Sequence, residues 1–279
     1  MPPVIFYWAA LLLYIFTYFS HIFCLIYVAF FYKMLYNVSK ELSMVINQEK
    51  SKKEQISISD IDDFFVNESN QDQYSSFYNY QKLMAYYRCA MMEIATKFNV
   101  LNEEFSLQYE RNPISSIKSR LKKINSIKEK LTKNGYPFTL DSIEEHLNDV
   151  AGIRVVCSFT DDVYMLANAF TKQDDITVIA RKDYIKNPKP NGYRSLHLIV
   201  TVPIFLAHEK RIMKVEIQLR TIAMDFWATL EHQLRYKKNV EFTDDMAKEL
   251  FLCAKLSEEL DSKMDMLRDK VQLDKKLLE

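Results

Sequence analysis

The pattern of hydrophobic and polar positions divides the chain into an apolar beginning and a mixed remainder. Residues 4–31 are almost entirely apolar, and Lys33 is the first charged residue. Polar residues dominate 38–73, after which apolar residues recur at helical and then at strand spacing. We therefore predict four regions: a hydrophobic segment at 1–37, a linker at 38–73, a folded domain at 74–240 and a C-terminal helix at 241–279.

The hydrophobic segment is long enough to cross a bilayer, which requires about 20 apolar residues. Aromatic residues lie near both of its ends, as in the aromatic belts of membrane proteins: Tyr7, Trp8, Tyr32 and Tyr36. We predict a transmembrane anchor at residues 4–32, with the charged domain on the cytoplasmic side. The open alternative is that translation starts at Met34 or Met44, in which case the segment is never synthesised.

Helical periodicity recurs in the remaining chain, at 74–108, 113–135, 140–148, 161–172, 221–237 and about 243–275. The 113–135 segment has the clearest end signals, because Asn112 can cap it, Pro113 suits its first turn and Gly135 suits its end. Its expected buried stripe is Ile117, Leu121, Ile124 and Leu131. The long C-terminal helix could mediate formation of a homo-oligomer or simply pack on the sheet.

Runs rich in β-branched and aliphatic residues predict strands at 151–157, 176–181, 194–203 and 212–220. Together with the helices they predict an α+β domain, in which helices flank a mixed β-sheet of about five strands.

Two of these strands alternate apolar and polar side chains, so that each has one face of each kind. In 212–220 the polar face carries Lys214, Glu216, Gln218 and Arg220, and the apolar face carries Met213, Val215, Ile217 and Leu219. In and just before 194–203 the polar face carries Tyr193, Ser195 and His197, opposite Leu196, Leu198, Val200 and Val202. For either strand alone, a merely solvated side of an antiparallel sheet would explain the pattern.

Composition excludes several classes of protein. The chain has 37 basic and 37 acidic residues, so its zero net charge gives no argument for DNA binding, and we expect no DNA partner. Only 3 Gly and 4 Cys exclude a collagen-like chain and a disulfide scaffold. The cysteines form no C-x-x-C pair, and we expect buried, reduced thiols at Cys24, Cys89, Cys157 and Cys253.

A local excess of bases suggests a phosphate site within this neutral chain. The 113–135 segment has one acid, Glu129, against seven bases: Lys118, Arg120, Lys122, Lys123, Lys128, Lys130 and Lys133. Charge alone favours a solvated face. The chain has neither a P-loop nor a G-x-G-x-x-G motif, so bound phosphates would need Lys and Arg side chains. Asp149 and Glu216 could together bind one Mg²⁺, which usually takes one or two carboxylates.

Five segments in order resemble the synthetase domain of the RelA/SpoT family, the (p)ppGpp synthetases, and above all its small single-domain members. They are SRLKKINSIKEKL (119–131), DVAGIRVVCSFTDDV (149–163), RKDYIKNPKPNGYRSLHL (181–198), VEIQLRT (215–221) and FWATLEHQLRYK (226–237). The resemblance implies the nucleotidyltransferase-like fold of that family. It also implies transfer of pyrophosphate from ATP to the ribose 3′-hydroxyl of GTP or GDP, with Mg²⁺.

The resemblance also implies roles for individual residues. Arg120 and Arg154 would sandwich the adenine of ATP, and its phosphates would be held by Lys122, Ser126 and Lys130. Asp149 and Glu216 would be the catalytic, magnesium-binding pair, and Glu216 would help to deprotonate the 3′-hydroxyl. Tyr193 would stack on guanine. The rest of the GTP or GDP site would consist of Lys182, Lys189, His197 and Gln218.

Two residues of the expected acceptor site depart from the family pattern, which leaves the preference between GTP and GDP open. Asp225 stands near the guanine site where relatives often have asparagine, and Lys182 stands where they can have arginine. The chain has no His-Asp dipeptide, the metal motif of the family's hydrolase domain, so we expect synthesis without hydrolysis. Two alternatives to the synthetase remain: a catalytically silent nucleotide-binding module at the membrane, and a nucleotidyltransferase that releases pyrophosphate instead of AMP.

Overall fold

The computed structural model describes residues 70–109, 111–235 and 242–278. The predicted anchor and almost all of the predicted linker lie outside these ranges. Within them, no helix is both long and apolar enough to cross a membrane. The four predicted regions therefore stay a prediction.

Six helices and five strands make up the described chain. The helices are α1 (Asn70–Tyr109), α2 (Ile124–Lys133), α3 (Leu140–His146), α4 (Thr160–Phe170), α5 (Ile222–Arg235) and α6 (Asp244–Leu278). The strands are β1 (Ile114–Leu121), β2 (Ala151–Cys157), β3 (Thr177–Asp183), β4 (Leu196–Phe205) and β5 (Lys210–Thr221).

The strands form one mixed sheet in the order β1-β2-β5-β4-β3. The central pair β2 and β5 is parallel, whereas the other three pairs are antiparallel. The prediction of an α+β domain with a mixed sheet of about five strands is confirmed. All four predicted strands are present, with ends shifted by a few residues.

The prediction of one helix over 113–135 is wrong in its first half. Residues Ile114–Leu121 form the edge strand β1, which pairs with β2, and a helix begins only at Ile124. The segment ISSIKSRL has little helical preference of its own, and the open edge of β2 supplies hydrogen bonds that favour a strand. The second half is right, because Ile124, Ile127 and Leu131 are buried and Gly135 follows the helix with φ +76°.

One face of the sheet is apolar and covered by helices. Helices α1 and α4 pack on this face, where the rings of Phe98 and Phe170 stack with centroids 4.6 Å apart. The predicted alternation in β5 is confirmed, because every side chain of its predicted apolar face is buried: Met213, Val215, Ile217 and Leu219. The polar side chains are thereby left on the opposite face, where they form the site described next.

Candidate active site

A row of five polar side chains crosses the polar face of the sheet, one from each strand. Pairing aligns Lys118 with Arg154, Arg154 with Gln218, Gln218 with His197, and His197 with Lys182. Directly paired residues place their side chains on the same face of a sheet. A merely solvated face would leave these side chains exposed, yet those of Arg154 and His197 are only 30% and 12% exposed.

The neighbouring row has a gap at its centre, because Gly152 lies between Arg120 and Glu216. Because glycine has no side chain, space is left above the sheet at this position. A Cβ atom here would lie 3.5 Å from the carbonyl oxygen of Arg120, which is an ordinary van der Waals contact. This space is a cavity of about 300 Å³, lined by Lys118, Arg120, Lys122, Asp149, Gly152, Ile153, Arg154, Glu216 and Gln218.

Asp149 precedes β2 at one side of the cavity. Nζ of Lys122 donates a hydrogen bond to its Oδ2 at 2.8 Å, and Nζ of Lys130 on α2 lies 2.8 Å from the same oxygen. Burial favours a raised pKa for Asp149, but the hydrogen bonds from both lysines outweigh it and hold the pKa below its usual value. Oδ1 of Asp149 is buried and has no hydrogen-bond partner among the described residues.

Glu216 lies on β5, across the cavity from Asp149. Nδ1 of His197 lies 3.4 Å from its Oε1, and Nε2 of Gln218 donates to its Oε2 at 3.0 Å. Burial favours a raised pKa for Glu216, yet the hydrogen bond and charge of His197 lower it below its usual value. The nearby charge of Asp149 opposes this shift.

The 184–195 loop joins the site through Tyr193. Its hydroxyl lies 2.7 Å from Nε2 of His197 and accepts a hydrogen bond from Nη2 of Arg220 at 2.6 Å. Nζ of Lys189 lies 4.8 Å from the ring centre of Tyr184 and 4.9 Å from that of Tyr193. An aromatic and cationic surface therefore lies beside the row of polar side chains.

Asp225, on the first turn of α5, links the two sides of the site. This buried carboxylate forms ion pairs with three side chains: Arg154 at 3.1 Å, Arg220 at 3.3 Å and Lys118 at 3.1 Å. Arg220 also donates to Gln218 at 2.8 Å. No site role was predicted for Arg220, and Lys118 and Asp225 were noted only as a base of the 113–135 segment and as a departure from the family pattern near the guanine site. Their meeting depends on strand register and on where α5 begins. The polar alternation of β5 was the only signal for Arg220.

Most of the predicted site residues are brought together. Six line the cavity: Arg120, Lys122, Asp149, Arg154, Glu216 and Gln218. Four more join it through the contacts above: Lys130, Lys189, Tyr193 and His197. Lys182 lies at the end of the polar row, and Ser126 lies one turn before Lys130 on α2; neither is among the described residues that line the cavity.

No group of three His, Cys, Asp or Glu residues in the described chain could hold a metal ion on its own. The cavity offers two carboxylates in a strongly basic surrounding. Such a set suits a hard cation whose remaining ligands are phosphate oxygens and water.

Comparison with known proteins agrees with this geometry. Residues 119–241 match the family model described as the region found in RelA / SpoT proteins. GTP pyrophosphokinase YwaC of Bacillus subtilis is 43% identical over 178 residues, which cover 64% of this chain and 85% of that protein. The chain belongs to the RelA/SpoT family. GTP pyrophosphokinase YjbM of Bacillus subtilis is 33% identical over 193 residues, covering 69% of this chain and 90% of that protein.

Solved structures of small family members share the fold. Small alarmone synthetase 2 of Bacillus subtilis matches with a TM-score of 0.63 at 39% identity, covering 69% of this chain and 99% of that one. Small alarmone synthetase 1 of the same organism, bound to its product pppGpp, matches with a TM-score of 0.64 at 33% identity, covering 70% and 98%. The predicted resemblance to the small RelA/SpoT synthetases is confirmed.

Proposed function

We propose that this RelA/SpoT-family chain is a GTP pyrophosphokinase, which transfers the β,γ-pyrophosphate of ATP to the 3′-hydroxyl of GTP or GDP. One observation carries the proposal: Asp149 and Glu216, distant in sequence, line one cavity whose other side chains are mostly basic. The relatives support it, since YwaC and YjbM are both named GTP pyrophosphokinases. So does the structure of small alarmone synthetase 1, which contains pppGpp as product.

The donor nucleotide would bind over Gly152. Arg120 and Arg154 lie beside this glycine, and their planar guanidinium groups are suited to stacking on an adenine ring. Lys122 and Lys130 would hold the phosphates of ATP, with Ser126 as a further donor. Both lysines also contact Asp149, so their charge would be shared between that carboxylate and the phosphates of ATP.

The donor set fits a Mg²⁺ ion held between Asp149 and Glu216. The buried Oδ1 of Asp149, which has no partner within the described chain, is a suitable free ligand atom. Because the pKa of both carboxyl groups is lowered, both are ionised at neutral pH and can bind a hard cation. When bound, the ion would neutralise charge on the transferred phosphate groups.

The acceptor nucleotide would bind beside Glu216, on the surface formed by the 184–195 loop and β4. The ring of Tyr193 would stack on guanine, and Lys182, Lys189 and His197 would approach the acceptor phosphates, with Gln218 on the same face. The lowered pKa keeps Glu216 ionised but makes it a weak base, so its Oε atoms would accept a hydrogen bond from the 3′-hydroxyl and help to deprotonate it only as the bond to phosphorus forms. Positioning and neutralisation of charge would do most of the catalytic work.

A catalytically silent nucleotide-binding module is not favoured, because both carboxylates and the surrounding bases are retained in one cavity. Synthesis without hydrolysis remains our proposal, since the sequence contains no His-Asp dipeptide.

Membrane attachment through residues 4–32 and assembly into a homo-oligomer also remain predictions. Fractionation of cells that express the full chain tests the first, and size-exclusion chromatography with light scattering tests the second.

Product analysis tests the reaction directly. The full chain is incubated with ATP, GTP and Mg²⁺, and the products are separated by anion-exchange chromatography. We expect AMP and a guanosine nucleotide with a 3′-pyrophosphate in equal amounts. Release of pyrophosphate would instead indicate a nucleotidyltransferase, and binding of both nucleotides without any product would indicate a silent module.

A further inference from the structure

The 184–195 loop rests directly on the C-terminal helix α6. Gly192 has φ +87°, a conformation that favours glycine, and a Cβ atom there would lie 2.4 Å from the Cβ of Ala254 on α6. No side chain larger than hydrogen fits this contact without displacing the loop or the helix. The backbone of the loop is therefore held against α6 at this point.

A buried ion pair joins the same two elements. Nη2 of Arg194 lies 3.0 Å from Oδ2 of Asp261, and the side chains are only 8% and 9% exposed. Nε and Nη1 of Arg194 have no hydrogen-bond partner among the described residues, so Asp261 is the side chain that compensates this buried charge. Loss of one member of such a pair leaves the other as an unpaired buried charge, which is strongly unfavourable.

Tyr193 lies between these two contacts. It packs against a buried cluster formed by α5 and α6 that contains Trp227, Leu250 and Ala254. Nε1 of Trp227 donates a hydrogen bond to the carbonyl oxygen of Leu250 at 2.9 Å, which fixes α5 against α6. The same tyrosine reaches into the site through its hydroxyl, so its position depends on α6 as well as on the sheet.

Helix α6 is itself fastened to the sheet domain farther along. The guanidinium of Arg268 lies 4.9 Å from the ring centre of Phe159 and forms an ion pair with Asp161 at 2.9 Å. With contacts to α5, to the 184–195 loop and to the start of α4, α6 can act as a fixed support for the loop.

We propose that α6 positions the guanosine-binding surface, with Gly192, Arg194 and Asp261 as positioning residues that touch neither nucleotide. The proposal rests on the proposed function, because it assigns Tyr193 and Lys189 to the acceptor. The ion pair holds the 184–195 loop in the geometry that the acceptor needs, whereas the donor side around Gly152 has no contact with Arg194 or Asp261 among the described interactions. Loss of the ion pair should therefore weaken acceptor binding selectively.

Asp261→Asn tests the selectivity, and Asp265→Asn is a matched control. Asp265 lies one turn farther along the same helix and pairs with Arg268, not with the loop. We expect Asp261→Asn to raise the KM for GTP about tenfold or more while the KM for ATP changes less than about twofold. Asp265→Asn should leave both constants unchanged. Equal changes of both constants in Asp261→Asn, or none, would overturn the proposal.

Limited trypsin digestion supplies a readout that does not require activity. Lys186 is the accessible cleavage site within the loop, because trypsin does not cut between Lys189 and Pro190, and Arg194 is buried. Cleavage after Lys186 should be about fivefold or more faster in Asp261→Asn than in the wild type or in Asp265→Asn, at an unchanged melting temperature. Equal cleavage rates would show that the ion pair does not hold the loop.

Arg194→Gln is a second variant, in case the Asp261 variant fails to fold. It removes the charge on the loop side of the ion pair, and it should show the same selective rise in the KM for GTP and the same faster cleavage. Wild-type behaviour of Arg194→Gln in both assays would overturn the proposal. If the chain proves not to use GTP at all, the cleavage rates still decide whether α6 holds the loop, so that the two failures are distinguishable.

Discussion

Filling the space above Gly152 should reduce the use of ATP without destabilising the fold. Each added methyl group occupies roughly the volume of one water molecule, about 30 Å³. Gly152→Ala would therefore fill about a tenth, and Gly152→Val nearly a third, of the cavity of about 300 Å³. The first added carbon would lie 3.5 Å from the carbonyl oxygen of Arg120, so the backbone need not move.

The stability of these variants should therefore not fall. Replacing glycine within a strand removes conformational freedom from the unfolded chain, which favours the folded state by about 0.5–1 kcal/mol. Activity should move the other way, because a displacement of about 1 Å in a reacting group can cost about 100-fold in rate. We expect kcat/KM for ATP to fall about tenfold in Gly152→Ala and about 100-fold in Gly152→Val.

Initial rates at varied ATP and at varied GTP, together with melting temperatures, check this prediction. Thr201→Val is the control, since Thr201 lies on β4 of the same sheet but outside the described lining of the cavity. A Gly152→Val protein that melts normally and keeps kcat/KM for ATP within about threefold of the wild type would refute the assignment of this cavity to the donor.

Two further predictions concern the acceptor and the carboxylates. Tyr193→Ala should raise the KM for GTP about tenfold or more and leave the KM for ATP nearly unchanged, because only the acceptor would stack on this ring. Steady-state kinetics check this prediction, and equal effects on both constants would contradict it. The pKa of Asp149 and of Glu216 is lowered on folding, so their contribution to stability is complete above the usual carboxyl pKa of about 4 and is lost as the pH falls through their folded values. Melting temperatures measured from neutral to acid pH should show this loss, and Asp149→Asn should show less of it. An equal loss in the wild type and in Asp149→Asn would contradict the lowered pKa of Asp149.

The sequence was most informative where a short-range period decides the structure. Strict alternation in β5 placed Glu216 and Gln218 on the polar face, and the structure confirms it. Gly152 visibly interrupts the β-branched run of β2 in the sequence, and in the structure it leaves the gap through which the cavity reaches the sheet. Both features depend on residues that are close in sequence, and such features can be predicted from the sequence alone.

The sequence was least informative where a partner strand decides. Residues 114–121 combine Ile117 and Leu121 at helical spacing, so the pattern indicated a helix, but pairing with β2 made them a strand. The change moves Lys118 and Arg120 from a helix surface to the polar face of the sheet. The cluster around Asp225 was beyond prediction for the same reason, because Lys118, Arg154 and Arg220 meet there only through the register of three strands.

The most direct test of the account compares single carboxylate variants in the product assay with ATP, GTP and Mg²⁺. Asp149→Asn and Glu216→Gln keep the size and hydrogen-bonding ability of the side chains but remove the charges proposed to hold the metal ion. We predict that each lowers the rate of 3′-pyrophosphate formation by about 1,000-fold, whereas Asp265→Asn on α6 retains the wild-type rate. A rate within about tenfold of the wild type in either carboxylate variant would contradict the central claim.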